Sequence, residues 1–500
     1  MEPRSTRCSA SARPPGVRIL FVASECAPFA KAGGLGDVVG ALPKALHALG
    51  HDVRVLMPKY GHVDASGFSH LGSMGVPLGF GAAWSEVHEG RLPDSEVPIY
   101  LLEHDTAFGA PVIYGDEPGT VWGAVKFGIL SRGAFELCRF LDWKPEIFHL
   151  HDWPSAWAAV YLNGPEAHGF GSSASVLTIH NMAHQPRFPA ETLTHLAIPE
   201  HEMRADSLED FGEVNPFKGG LYHCTMITTV SPRYAHEIRS PTGGAGLDRI
   251  ADLRGGDLVG ILNGIDEEIW DPAVDATLPA NYGPEDMVGK AACKVELERV
   301  MGLDPEPHGP LLGVVSRLSP QKGLDVLADG LVRILATGAR LCLLGSGDPA
   351  LQDRFRWLAQ QYPGRVGVRI GYDERLAHLI EAGSDMFMMP SRFEPCGLNQ
   401  LYSQRYGTLP IVHATGGLDD TVEQCDPIAR TGTGFKMYAL HTDALVNTTR
   451  WAIQVYRRDP ELFAIMQQNG MKKRMGWDEA AHRYADVYRW SLERKGVFPS

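Results

Sequence analysis

The apolar run VRILFVA (17–23) leads through a glycine-rich turn into apolar positions at helical spacing: Val38, Leu42, Ala45, Leu46 and Leu49. The run predicts a buried strand, and the recurrence every three to four residues predicts a helix behind it. Pro43 is expected to bend that helix or to sit in its first turns, because proline lacks the N–H that a helix interior needs. Gly50 is placed to stop it, and DVRVLMP is the predicted return strand. Near residue 310 the pattern restarts. PLLGVVSRLSPQKGLDVLADGLVRIL predicts strand, loop and helix, ARLCLLGSGDPALQDRFRWLAQQY repeats it, and RVGVRIGYDERLAHLIEAGSDMFMMPS adds strand, helix and strand.

Alternating βα units of this length predict parallel, doubly wound sheets, and two such blocks predict an α/β protein of two Rossmann-like domains facing a deep cleft. The expected boundaries are a disordered tail over 1–16, an N-terminal domain over 17–265 and a C-terminal domain over 266–475. A last helix over 476–500 is expected to pack back on the first domain. The stretch ILNGIDEEIWDPAVDATLPANYGPEDMVGKAAC, rich in Pro, Asp and Gly, reads as the connection. Ligands of open parallel sheets bind at the carboxyl ends of strands, so chemistry is expected just after the predicted strands.

A length of 500 residues suits two large domains, and 44% hydrophobic with 21% charged residues reads as globular. With 46 Lys+Arg against 60 Asp+Glu, the net charge of −14 excludes nucleic acid or an anionic membrane as the main partner. Any phosphate-bearing ligand must then be met by a few local cations and backbone amides. The eight cysteines contain no C-x-x-C pair, which favours free thiols over disulfides or zinc. No apolar run approaches the ~20 residues of a membrane span. The start, MEPRSTRCSASARPPG, has no apolar core and is not read as a secretory signal; a short transit peptide is the lesser alternative.

Candidate chemistry falls where strands end. In KAGGLGDVVG (31–40), Gly33, Gly34 and Gly36 let backbone N–H groups approach a phosphate, and Lys31 adds a charge. The loop lacks the Lys-Ser/Thr of a P-loop, and a tight turn with an exposed lysine is the alternative. IFHLHDW (147–153) offers Asp152 as proton acceptor or hydroxyl ligand. Its histidines are too closely spaced on one strand end for a good metal site. SVLTIHNMAHQ (175–185) offers His180 and Asn181 for hydroxyls, or simply a structural histidine. GVVSRLSPQKG (313–323) places Arg317 and Lys322 around a loop, able to grip a diphosphate from two sides. LLGSGDPA nearly fits a dinucleotide fingerprint but lacks the acidic partner ~20 residues on. In the segment 388–422, Glu394 precedes a helix opening at Cys396, Gly397 and Leu398. A second amide-rich turn follows at Thr415, Gly416 and Gly417. A carboxylate beside such turns suits a sugar nucleotide.

Taken in order, KAGGLGDV, HDW, TIHN, FKGGL, TTVSPRYAHEI, GILNGIDEEIWDP, GVVSRLSPQKG, EPCGL, YGTLPIV and ATGGLDDTV resemble bacterial glycogen synthase and plant starch synthase from about residue 17 to the end. The resemblance implies a retaining GT-B glucosyltransferase moving glucose from ADP-glucose to the non-reducing end of an α-1,4-glucan such as glycogen, without metal or cofactor. The chain contains no Asp-x-Asp, the usual metal bridge of the other large glycosyltransferase fold. By the same resemblance Lys31 is the nucleotide-sugar lysine and Arg317 with Lys322 the diphosphate pair. Glu394 holds the sugar, with Cys396 to Leu398 beside it, and Asp152 and His180 are active-site residues of the N-terminal domain. Tyr372 lies near the adenine, and Asn263 joins the donor-binding set. A cytoplasmic, bacterial-type location follows, or a plastid one if the N-terminal tail is a targeting segment.

The chain departs from the family at Pro154, at His184 and Pro186, and at Pro216, Asn399 and Gln404. The rival expectations are a UDP-glucose-using or phosphorylase-like relative, a non-catalytic glucan-binding protein and, last, a dinucleotide oxidoreductase.

Overall fold

The computed structural model describes residues 16–115, 119–306 and 309–497. The tail expected over 1–16 therefore lies, apart from Gly16, outside the described residues. The chain forms two compact units, Met1–Thr228 with Ala481–Ser500, and Thr229–Ala480.

The first unit is built on the strands β1 Arg18–Val22, β2 Asp52–Pro58, β3 Ser69–Leu78, β4 Gly81–Arg91, β5 Pro98–Glu103, β6 Ile147–His151, β7 Ala174–Ile179 and β8 Met226–Thr229. They lie in the order β8-β7-β6-β1-β2-β5-β4-β3. Pairing is parallel from β7 through β6, β1 and β2 to β5. It is antiparallel for β5 with β4 and β4 with β3. Helix α1, Gly34–Ala48, buries Leu35, Val38, Val39, Leu42 and Leu46 along one face and runs on through a buried Pro43. Proline thus sits well inside the helix rather than in its first turns.

The β3–β4 hairpin has no counterpart among the elements expected from the sequence. Its inward positions on β4 are Ala83, Ser85 and Val87, two of them too small or too polar to write a clear alternation. Helix α2 Val121–Phe140 and helix α3 Asp152–Asn163 cover the sheet. A short helix α4, Pro216–His223, starts with proline behind an Asn215 cap. Pro216 and Pro154 therefore both occupy first turns, where a missing N–H costs nothing.

The second unit carries β9 Leu311–Val315, β10 Arg340–Gly345, β11 Val366–Ile370, β12 Met386–Met389, β13 Leu409–His413 and β14 Phe435–Met437. The order is β11-β10-β9-β12-β13-β14, all parallel. Alternate residues serve opposite faces: on β10, Leu341 and Leu343 enter one core and Cys342 and Leu344 the other. Both faces are buried, which is why these strands read as unbroken apolar runs. The order turns back between β9 and β12, the switch point where ligands of such sheets bind.

Helix α5, Trp477–Arg494, begins in the second unit and belongs to the first from Ala481. Within the first unit its Tyr488 hydroxyl lies 2.8 Å from Nδ1 of His149 on β6.

Candidate active site

The end of β6 and the start of α3 shape the polar centre of the first unit. Asp152 adopts φ +53°, a left-handed conformation that aspartate tolerates better than most residues. Its Oδ1 accepts the His180 N–H at 2.7 Å, with the Asn181 N–H more distant at 3.5 Å. Nδ1 of His151 lies 3.0 Å from Nε2 of His180. His149 pairs with Thr178 and Tyr488 instead, a structural use.

Burial, offset in part by those amides and reinforced by Glu25, pushes the Asp152 carboxyl up to about 8. Burial pulls His180 down to about 3 and His151 well below its usual range. Near pH 7 this centre therefore holds a carboxylic acid and neutral imidazoles, a set that donates and accepts hydrogen bonds without charge. His184, at one of the departures, has its Nε2 3.1 Å from Nδ2 of Asn181.

The glycine loop carries an occupant that sequence reasoning missed. Glu25 Oε2 accepts the N–H groups of Ala32 at 2.7 Å and Gly33 at 2.9 Å. Of the three glycines expected to face phosphate, Gly33 already spends its amide on a carboxylate of the chain. The Lys31 ammonium lies 2.6 Å from Asp37.

In the second unit a cavity of about 290 Å³ opens beside the switch point, lined among others by Arg317, Lys322, Tyr372, Glu394, Gly397 and Leu398. Six expected site residues are thereby brought together. Lys322 Nζ lies 2.5 Å from Glu394 Oε2, which also accepts the Ser391 hydroxyl at 3.0 Å. Arg317 is exposed, and its guanidinium has no partner among the described residues. Tyr372, 79% exposed, stands at the rim.

The remaining expected residues lie outside the lining. Cys396 is buried, and burial pushes its thiol up to about 12, so it serves packing rather than nucleophilic chemistry. The Asn263 backbone hydrogen-bonds that thiol, while the buried Asn263 Oδ1 has no hydrogen-bond partner among the described residues.

The second amide-rich turn is filled from within. The Gly416 N–H donates to Glu237 at 3.0 Å, the Thr415 hydroxyl lies 3.3 Å from the same carboxylate, and the Gly417 N–H donates to the Glu394 carbonyl at 3.1 Å. By contrast the amides of Gly397 and Leu398 meet no acceptor among the described residues. In the near-fingerprint LLGSGDPA, Asp348 caps Ala350 and Leu351, while Gly345 and Ser346 face the cavity.

Gly416 has φ +46°, and a Cβ there would stand 2.0 Å from the Glu394 carbonyl oxygen. Gly416→Ala should thus displace Glu394, lowering stability by about 1–3 kcal/mol and turnover with it. Thermal unfolding and initial rates on the same preparation check both effects.

Two Rossmann-like units, one with paired cations, a carboxylate and open amides at its switch point, define a GT-B glycosyltransferase. The description "Starch synthase catalytic domain" matches residues 18–252, and "Glycosyl transferases group 1" matches 303–469. The chain is 46% identical over 492 residues to glycogen synthase 1 of Geobacter sulfurreducens, covering 96% of this chain and 98% of the relative. It is 44% identical to a glycogen synthase of Anaeromyxobacter dehalogenans, covering 95% and 99%. The chain belongs to the glycogen synthase and starch synthase family. Among solved structures, the catalytic domain of starch synthase IV from Arabidopsis thaliana, bound to ADP and acarbose, matches with TM-score 0.89 at 32% identity, covering 96% and 100%. A sucrose-phosphate synthase from Thermosynechococcus elongatus shares the fold, with TM-score 0.61 at 17% identity.

Proposed function

We propose that this glycosyltransferase moves glucose from ADP-glucose to the non-reducing 4-hydroxyl of an α-1,4-glucan with retention of configuration, in the bacterial cytoplasm. The observation that carries this reading is the cavity at the switch point, where Arg317, Lys322 and the free amides of Gly397 and Leu398 converge beside Glu394. Such a set suits a diphosphate next to a sugar whose hydroxyls the carboxylate holds.

In the proposed reaction the bond from the anomeric carbon to the β-phosphate oxygen breaks as the bond to the acceptor oxygen forms on the same face. The acceptor proton passes to the departing phosphate. Arg317, Lys322 and the amides stabilise charge growing on ADP, which is where preorganised donors accelerate a reaction most. Lys31 adds a cation to the donor, and Asp152 and His180 supply uncharged hydrogen bonds to sugar hydroxyls.

Labelled ADP-glucose and labelled UDP-glucose, each offered with glycogen, test the assignment. ADP-glucose is expected to be incorporated at least about 10-fold faster at equal concentration, a difference of ~1.4 kcal/mol in transition-state binding. Preferential incorporation from UDP-glucose would overturn the donor assignment, and glycogen binding without incorporation would overturn the transferase.

A further inference from the structure

Glu25 stands just after β1, is only 2% exposed, and has no part in the chemistry above. Cys26 and Ala30 exchange both backbone hydrogen bonds, at 2.9 and 3.0 Å, so the chain doubles back and sets Glu25 opposite Ala32 and Gly33. The carboxylate is further gripped by the Tyr114 hydroxyl on Oε1. The turn is pinned to α1 by the Ala27 N–H, which donates to the Gly36 carbonyl at 3.0 Å.

Gly36 shows how tightly this assembly and Lys31 fit together. A Cβ at Gly36 would lie 3.1 Å from Cγ and 3.2 Å from Cβ of Lys31, and 3.4 Å from Oε2 of Glu25. The lysine stem and the carboxylate thus share one glycine floor. A glycine loop whose amides converge on an anion is a ready phosphate seat; here the anion is the protein's own.

We propose that Glu25 is the positioning residue for Lys31, its carboxylate holding the Ala32 and Gly33 amides so that the loop meets the donor through the Lys31 ammonium and not through those two amides. The proposal rests on the donor role given to Lys31 above. Glu25 touches no substrate; it acts by fixing the segment from which Lys31 projects. Lys31 must also leave Asp37 to reach a phosphate, and a loop already held by Glu25 confines that exchange to the side chain.

A double-mutant cycle tests the assignment. Glu25→Ala, Lys31→Ala and the pair are compared with the parent in kcat and in KM for ADP-glucose and for glycogen. Displacing a positioned group by about 1 Å costs about 10²-fold, so Glu25→Ala, which removes the acceptor, should lower kcat/KM for ADP-glucose by about that factor with KM for glycogen unchanged. In the Lys31→Ala background the same change should cost less than about threefold, because residues acting as one unit are not additive. An equal loss in both backgrounds, or a parallel rise in glycogen KM, would overturn the proposal.

Amide hydrogen exchange of Ala32 and Gly33 gives a readout that needs no substrate. Both should exchange faster in Glu25→Ala while the rest of the unit is unaltered; unchanged protection would overturn the hold. If Glu25→Ala fails to fold, Glu25→Asp takes its place in the same cycle. Should the parent transfer no glucose, the functional reading fails, and the cycle run on ADP affinity by calorimetry still decides the role of Glu25.

Discussion

Lys322→Ala and Arg317→Ala should each lower kcat by about 10²–10³-fold, the usual loss when one preorganised donor to a developing negative charge is removed. The two variants are expected to differ in stability. Lys322 neutralises Glu394 across 2.5 Å, and both side chains are largely buried, 18% and 8% exposed. Its removal leaves a buried carboxylate with only the Ser391 hydroxyl, and a buried charge stripped of its partner is strongly destabilising. Arg317 is exposed and unpaired among the described residues, so its removal strands nothing.

Lys322→Ala should therefore lower Tm and Arg317→Ala should leave it unchanged. Adding Glu394→Gln to Lys322→Ala should recover much of the lost Tm without restoring turnover. Steady-state kinetics and thermal unfolding on the four proteins decide it, and near-normal turnover in both single variants would remove the diphosphate role.

The same cavity shows what the sequence could and could not convey. The two doubly wound sheets were legible because strands buried on both faces write continuous apolar runs, and because βα alternation restarts near residue 310. The cations at 317 and 322 were legible for a similar reason: two positive charges after a buried strand stand out in an acidic chain. Which glycine-rich turn stays open was not legible. Four turns looked alike, but two are occupied by the chain's own carboxylates and a third runs into a helix start capped by Asp348. Asp348 caps locally and was within reach of a capping argument. Glu25 lies upstream across a doubled-back segment, and Glu237 reaches Gly416 from 179 residues away. Such partners are set by tertiary packing, which no local pattern records. The chain places an anion wherever an amide cluster is closed and leaves bare the cluster at 397–398, where the proposed diphosphate supplies the charge.

Asp152→Asn should keep turnover within about 10-fold of the parent, because an amide also supplies uncharged hydrogen bonds, while making the protein less sensitive to rising pH. Asparagine suits the conformation at φ +53°, where Asn and Asp are the residues best accommodated after glycine. Its Oδ1 can still accept the His180 N–H, so the local fold should survive. What it removes is ionisation. The buried carboxyl titrates near 8 in the folded chain and near 3.9 when unfolded, so between those values the folded state binds more protons than the unfolded one. Stability from this group is then fully present below pH ~4 and is lost as pH rises toward ~8, by an amount on the order of several kcal/mol. His180 runs the opposite way below pH ~6.5, because its folded form stays neutral down to about 3; it is common to both proteins and cancels in their difference. Denaturant unfolding of parent and variant between pH 5 and 8 should show the stability of Asp152→Asn rising steadily relative to the parent, with the variant still turning over. Parallel pH profiles, or a variant without turnover, would mean that Asp152 is ionised in the folded protein and acts as a carboxylate.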